Sequence, residues 1–201
     1  MRFLDFQQKF IGFNTITSQD MRNAFGSINQ SQLLTWKKRG LISSVKKGIY
    51  ILSDTKVDPL LMANELNDSY LSLEFALSFH QIIPEITPSL TSISNNRSEE
   101  ISNNLGNFYY HKIAPKLFCG FALRESQVQS NRYVRIAERE KALFDLIYFR
   151  KDLRSIQDFE SLRLNVEKIN PNKLKKFITL VEATQTKKRL NNFLNYLHAI
   201  A

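Results

Sequence analysis

Apolar residues in the first fifty positions recur first at helical and then at strand spacing. Phe3, Phe6 and Phe10, with Leu4 and Ile11, predict a helix from Arg2 to Ile11 with one buried side. The run Ile16-Thr17-Ser18-Gln19-Asp20 offers hydroxyl caps ahead of Met21, Ala24 and Phe25, and Gly26 is placed to stop this second, short helix. Asn29 can cap a third helix, Gln30 to Arg39, in which Leu33 and Trp36 face inward and Gly40 ends the run. From Leu41 to Leu52, β-branched residues predict two short strands joined around a basic turn at Lys46-Lys47-Gly48. Three helices followed by a hairpin is the element order of a winged helix-turn-helix.

Ser53 to Asp58, with Pro59 beyond, combines turn formers with a loss of apolar periodicity and marks a domain boundary. Helices are predicted from Pro59 to Leu66 and from Ser72 to about Gln81, and Pro84 and Pro88 force the chain out of the helical state. From Leu90 to Tyr133 short runs such as Leu90–Ile93, Gly106–Ile113 and Phe118–Leu123, separated by Asn, Ser and Gly, predict strands. From about Ile136 the pattern is helical, with stripes at Ala142/Leu143/Leu146/Ile147, Leu174/Phe177/Ile178/Val181 and Leu190/Phe193/Leu194/Leu197. The expected class is α+β. A winged helix-turn-helix over residues 1–55 precedes a mixed α/β domain over residues 56–201 that ends in helices.

Charge sharpens this picture. Twenty-eight Lys and Arg against 19 Asp and Glu give a formal charge of +9, which favours a polyanionic partner. Between Asp20 and Asp54 there is no acidic residue, whereas Arg22, Lys37, Lys38, Arg39, Lys46 and Lys47 all fall there. Cys119 is the single cysteine, so no internal disulfide and no Cys/His metal spacing is expected, and a reducing, cytoplasmic setting fits best. Asp5 interrupts the apolar amino terminus, which is therefore expected to stay in the mature protein, and no uncharged apolar run reaches membrane-spanning length. No membrane partner, metal or cofactor is expected.

A third helix in this element order lies in the major groove, with an apolar inner face and a polar outer one. Gln30, Ser31, Gln32 and Thr35 supply groups that can hydrogen-bond DNA, with Gln30, Ser31 and Thr35 the candidates for base edges. Lys37, Lys38 and Arg39 at the helix end, and Lys46 and Lys47 at the hairpin tip, suit phosphates. The plainer reading is a small helical bundle with a solvated basic face. It ranks second because cations gather at both the helix end and the hairpin while acids are absent.

Elsewhere the chemistry is sparse. His80, His111 and His198 share no ligand spacing, and Glu138 and Glu140 beside Lys141 suit a helix start better than acid/base work. No Walker loop or GxGxxG occurs, so an enzyme is not expected. Lys173, Lys175, Lys176, Lys187, Lys188 and Arg189 form a late basic stretch that fits an auxiliary phosphate-contacting surface or an ordinary solvated face equally well.

Several stretches together resemble the AbiEi-like antitoxin family, transcriptional regulators of type IV abortive-infection toxin-antitoxin pairs. They are Trp36-Lys37-Lys38-Arg39-Gly40-Leu41-Ile42 with Lys47-Gly48-Ile49-Tyr50; Ala63-Asn64, Tyr70 to Leu77 and Ile82-Ile83-Pro84-Glu85; and Ile136 to Asp145. The resemblance implies an amino-terminal winged helix that binds inverted repeats in its own promoter as double-stranded DNA, and a carboxy-terminal antitoxin domain. It further implies a neighbouring nucleotidyltransferase-like toxin. Gln81 stands where the family often has glycine after the helical histidine, which bears on the turn there. Glu74, His80, Glu140 and Lys141 are expected to make polar contacts specific to the fold, not to catalyse. Two alternatives stay open: direct binding and neutralisation of a toxin protein, and a cryptic nuclease.

Overall fold

A computed structural model describes residues 2–200. Helix α1 (Phe3–Phe10) is followed by the two-residue strand β1 (Ile16–Thr17), α2 (Ser18–Phe25), α3 (Gln30–Lys38) and the strands β2 (Ile42–Lys46) and β3 (Ile49–Leu52). The three strands form an antiparallel sheet in the order β1-β3-β2. Its core is aromatic: Trp36 lies 5.3 Å from the Phe3 ring and 5.1 Å from Phe6, and Phe6 lies 4.9 Å from Phe10. Met21, Leu33, Ile42 and Leu52 close it. Helix α2 begins with a capping box, in which Thr17 Oγ1 accepts from the Asp20 amide and Asp20 accepts from the Thr17 amide.

The remaining described residues build a six-stranded mixed sheet and six α-helices. They follow in the order α4 (Pro59–Leu66), β4 (Ser69–Leu71), α5 (Leu73–Phe79), β5 (Leu90–Ser94), β6 (Glu99–Asn103), β7 (Gly106–Lys112), β8 (Phe121–Glu125), β9 (Tyr133–Ala137), α6 (Arg139–Phe149), α7 (Ile156–Glu160), α8 (Pro171–Thr179) and α9 (Thr184–Ile200). Spatial order is β6-β7-β5-β4-β9-β8, with β4–β9 and β5–β7 parallel and the other pairs antiparallel. The molecule is thus a mixed α and β fold with a C-terminal helix. No helix among the described residues is long and apolar enough to cross a membrane.

Two details depart from the expected elements. The strand expected at Phe118–Leu123 starts only at Phe121, because Pro115–Leu117 takes a short 3-10 turn and Gly120 sits at φ +77°. A Cβ at Gly120 would meet the Phe177 ring at 2.7 Å, so only glycine admits α8 this close. Strands β1, β4, β6 and β9 are additional to the runs identified as strands.

A buried ionic cluster joins β4 to α6. Asp145 accepts from Lys141 Nζ at 2.5 Å, Ser72 Oγ at 2.7 Å and Tyr70 Oη at 3.0 Å, and the Lys141 and Asp145 side chains are both fully buried. Burial pushes the Asp145 carboxyl upward against the pull of these three donors. The Lys141 ammonium also lies 4.5 Å from the centre of the Phe144 ring.

The boundary near residue 55 separates two cores but not two independent bodies. Val45 and Ile51 of the hairpin belong to the larger core, with Ile49 packed against it. Asn14 donates to the Asp58 carbonyl and accepts from the Asp58 amide at 2.7 Å, while Asp58 caps α4 and accepts from Ser126 Oγ at 2.5 Å. Glu65 accepts from Thr15 at 2.8 Å and from Arg132 at 2.5 Å.

Candidate nucleic-acid interface

Asn29 accepts from the Gln32 amide at 3.1 Å to start α3, and Gly40, at φ +69°, follows its end. Leu33 and Trp36 turn inward, as expected from their spacing. Gln30, Ser31, Thr35, Lys37, Lys38 and Arg39 are all exposed, and Gln32 is half-buried. Thr35 donates its hydroxyl to the Ser31 carbonyl at 2.9 Å, which leaves its oxygen as an acceptor toward a ligand. Helix α3 therefore offers an amide, hydroxyls and three cations on one surface.

Among the described residues Lys37, Lys38, Arg39 and Lys47 have no carboxylate partner. Their positive potential is uncompensated, and a phosphate arriving there breaks no existing ion pair. Lys47 sits at the hairpin turn beside Gly48, whose carbonyl accepts from the Ser18 amide at 2.9 Å and so ties the turn to the start of α2.

Lys46 is a correction. Expected to reach phosphate, it instead donates to Glu99 Oε1 at 2.6 Å and to the Leu66 carbonyl at 2.8 Å, with its side chain only 20% exposed. The cause is tertiary: the hairpin packs on the larger core and brings Lys46 against β6, 53 residues away along the chain. Its charge serves the junction, while Lys47 stays exposed at the hairpin turn.

The structure adds one side chain to this surface, and leaves one cation of the acid-free stretch exposed on the neighbouring helix. Leu34 is 59% exposed on α3, one turn from Gln30 and Ser31, where an apolar group can meet a thymine methyl. Arg22 is exposed on α2 and donates to Gln19 at 2.9 Å. Leu34 is legible in sequence only as the leucine off the Leu33/Trp36 stripe, and Arg22 only as part of the acid-free stretch.

In the body, His80, Glu140 and Glu74 of the motifs make contacts within the fold. His80 donates Nε2–H to the Ala137 carbonyl at 2.8 Å, and burial lowers its pKa. Glu140 accepts from the Asn170 amide at 2.9 Å, and Glu74 lies 3.8 Å from Arg150. His80, Glu138, Glu140 and Lys173 border a cleft of about 290 Å³ in which acidic and basic groups alternate. Cys119 is half-buried, and no group of three or more His, Cys, Asp or Glu among the described residues is placed to hold a metal.

Over 96% of its length the chain is similar in fold to the crystal structure of the RV2827C protein from Mycobacterium tuberculosis, with a TM-score of 0.55, 10% sequence identity and 77% of that chain covered. The likeness concerns the fold. No protein-family model matches the sequence, and no curated protein does.

Proposed function

We propose that the chain is a sequence-specific DNA-binding regulator whose first 55 residues act as a winged helix-turn-helix. The observation that carries this reading is the outer surface of α3, where Gln30, Ser31, Leu34 and Thr35 adjoin three cations without carboxylate partners inside an acid-free stretch. Helix α3 is the recognition helix and lies in the major groove, while Lys37, Lys38, Arg39 and Lys47 hold the phosphates. The residues resembling AbiEi-like antitoxins extend the proposal: the chain represses its own promoter at inverted repeats and is the cytoplasmic antitoxin of a type IV pair. In that reading the body is the antitoxin domain and no part of the chain is an enzyme.

The test is fluorescence anisotropy of the full chain on its own upstream duplex and on a scrambled duplex, between about 50 and about 200 mM salt. Preference for the upstream duplex, with log K falling against log salt at a slope of roughly −3 to −4 per bound copy, is expected from four phosphate contacts. Equal binding to both duplexes and a flat salt response would falsify the reading. Co-purification with a toxin protein under those conditions would favour direct neutralisation instead.

A further inference from the structure

A second concave basic surface lies where the start of α9 meets the segment after α6. A cleft of about 570 Å³ is lined there by Lys151, Arg154, Thr186, Lys188, Arg189 and Asn192, and no carboxylate lines it. Two of its cations are held in place. Arg189 donates to the Ile147 carbonyl at 3.0 Å and to the Tyr148 carbonyl at 2.9 Å, satisfying acceptors in the last turn of α6. Arg154 donates from Nε to the Lys151 carbonyl at 2.7 Å.

Among the described residues none of Lys151, Arg154, Lys188 and Arg189 forms an ion pair, and the neighbouring Asp152 is engaged by the Arg150 guanidinium at 2.7 to 3.1 Å. Burial, and then the charge of Arg154, lower the pKa of Arg189, against a smaller upward pull from Asp152. Two guanidiniums thus repel each other across a space that neutral donors, Thr186 and Asn192, also border. Crowding of like charge around an open cleft is relieved by an anion.

We propose that this cleft is a phosphate-binding site that takes adjacent phosphates of a polyphosphate or of a nucleic-acid backbone. Guanidinium and ammonium donors match phosphate oxygens. No aromatic ring lines the cleft, so a base has nothing to stack on and recognition rests on the phosphates. The site shares no residue with the α3 surface and stands or falls separately from it.

Inorganic tripolyphosphate is titrated calorimetrically into the full chain and into Arg154→Gln/Lys188→Gln. Both side chains are exposed, so the fold is retained, whereas Arg189 is left in place because it holds the end of α6. Roughly tenfold or greater weakening is expected in this variant, and none in Lys9→Gln/Lys56→Gln, exposed lysines that belong to neither surface. A scrambled duplex then separates the two sources. Displacement of the duplex by tripolyphosphate that vanishes in the cleft variant assigns backbone phosphates. Duplex binding indifferent to tripolyphosphate assigns a free polyphosphate. Equal tripolyphosphate affinity in the wild type and the cleft variant, or no binding to either, overturns the proposal.

Discussion

In the body of the molecule many basic side chains are tied to carboxylates: Lys141 to Asp145, Arg132 to Glu65, Arg135 to Asp68, Arg150 to Asp152. Between Met21 and Ser53 there is no carboxylate at all, and Lys37, Lys38 and Arg39 stand in solvent. A cation that already has a partner contributes to the fold, and its removal is felt there. A cation without one is a potential that only an external anion satisfies. Lys46 and Lys47 show the contrast between adjacent positions, one clamped to Glu99 and the other exposed at the turn. The cleft beside α9 gathers body cations that form no ion pair among the described residues.

Several substitutions bear on this contrast. Asp145→Ala strands the fully buried Lys141 ammonium and is expected to cost about 3–5 kcal/mol in chemical denaturation. Replacing both partners with apolar residues should recover much of that loss, and a single variant within about 1 kcal/mol of wild type would remove the cluster from the stability account. Lys37→Gln/Lys38→Gln/Arg39→Gln acts oppositely. Its melting curve should barely move, while affinity for the upstream duplex falls roughly a hundredfold at physiological salt and the salt slope loses about three.

The sharpest pair is Lys46→Ala beside Lys47→Ala. The first is expected to lower stability by about 1–2 kcal/mol and leave the salt slope alone, because it strips the Leu66 carbonyl of its donor and leaves the part-buried Glu99 with Arg97 as its cation. The second should reduce the salt slope by about one at unchanged stability. If both behaved alike, burial and pairing would not be what separates the two lysines. The smallest effect is expected at Gln81, held at φ +57° just past the end of α5. Gln81→Gly should raise stability by about 0.5–1 kcal/mol in urea unfolding, less whatever its exposed bond from Lys168 contributes.

Helix α3 was legible from end to end, because its cap, its inward Leu33 and Trp36 and its stop at Gly40 all lie within a dozen residues. The hairpin was legible for the same reason. Strand β4 was not: Ser69, Tyr70 and Leu71 are all buried, so no alternation of apolar and polar residues marks them. Strand β6 carries Glu99 and Glu100 at a sheet edge, and β1 is two residues long, so neither leaves a periodic trace. The candidate surface followed suit. Exposure of the α3 side chains was implied by helical geometry, whereas the loss of Lys46 depends on Glu99 arriving from β6 and on Leu66 at the end of α4. The Gln81 turn is intermediate: resemblance drew notice to the residue, and only the backbone shows the left-handed conformation that glycine would adopt more easily.

The segment from Ser53 to Asp58 has the composition of a hinge, yet Asp58 is 3% exposed and holds Asn14, Ser126 and the start of α4 at once. Reading heads on slack tethers tolerate variable gaps between their targets; a head welded to its body does not. Should two copies meet on an inverted repeat, the distance between their α3 helices would be dictated by how the bodies touch. One inserted base pair between half-sites would then swing one target around the duplex by a tenth of a turn, with no swivel in the protein to follow it.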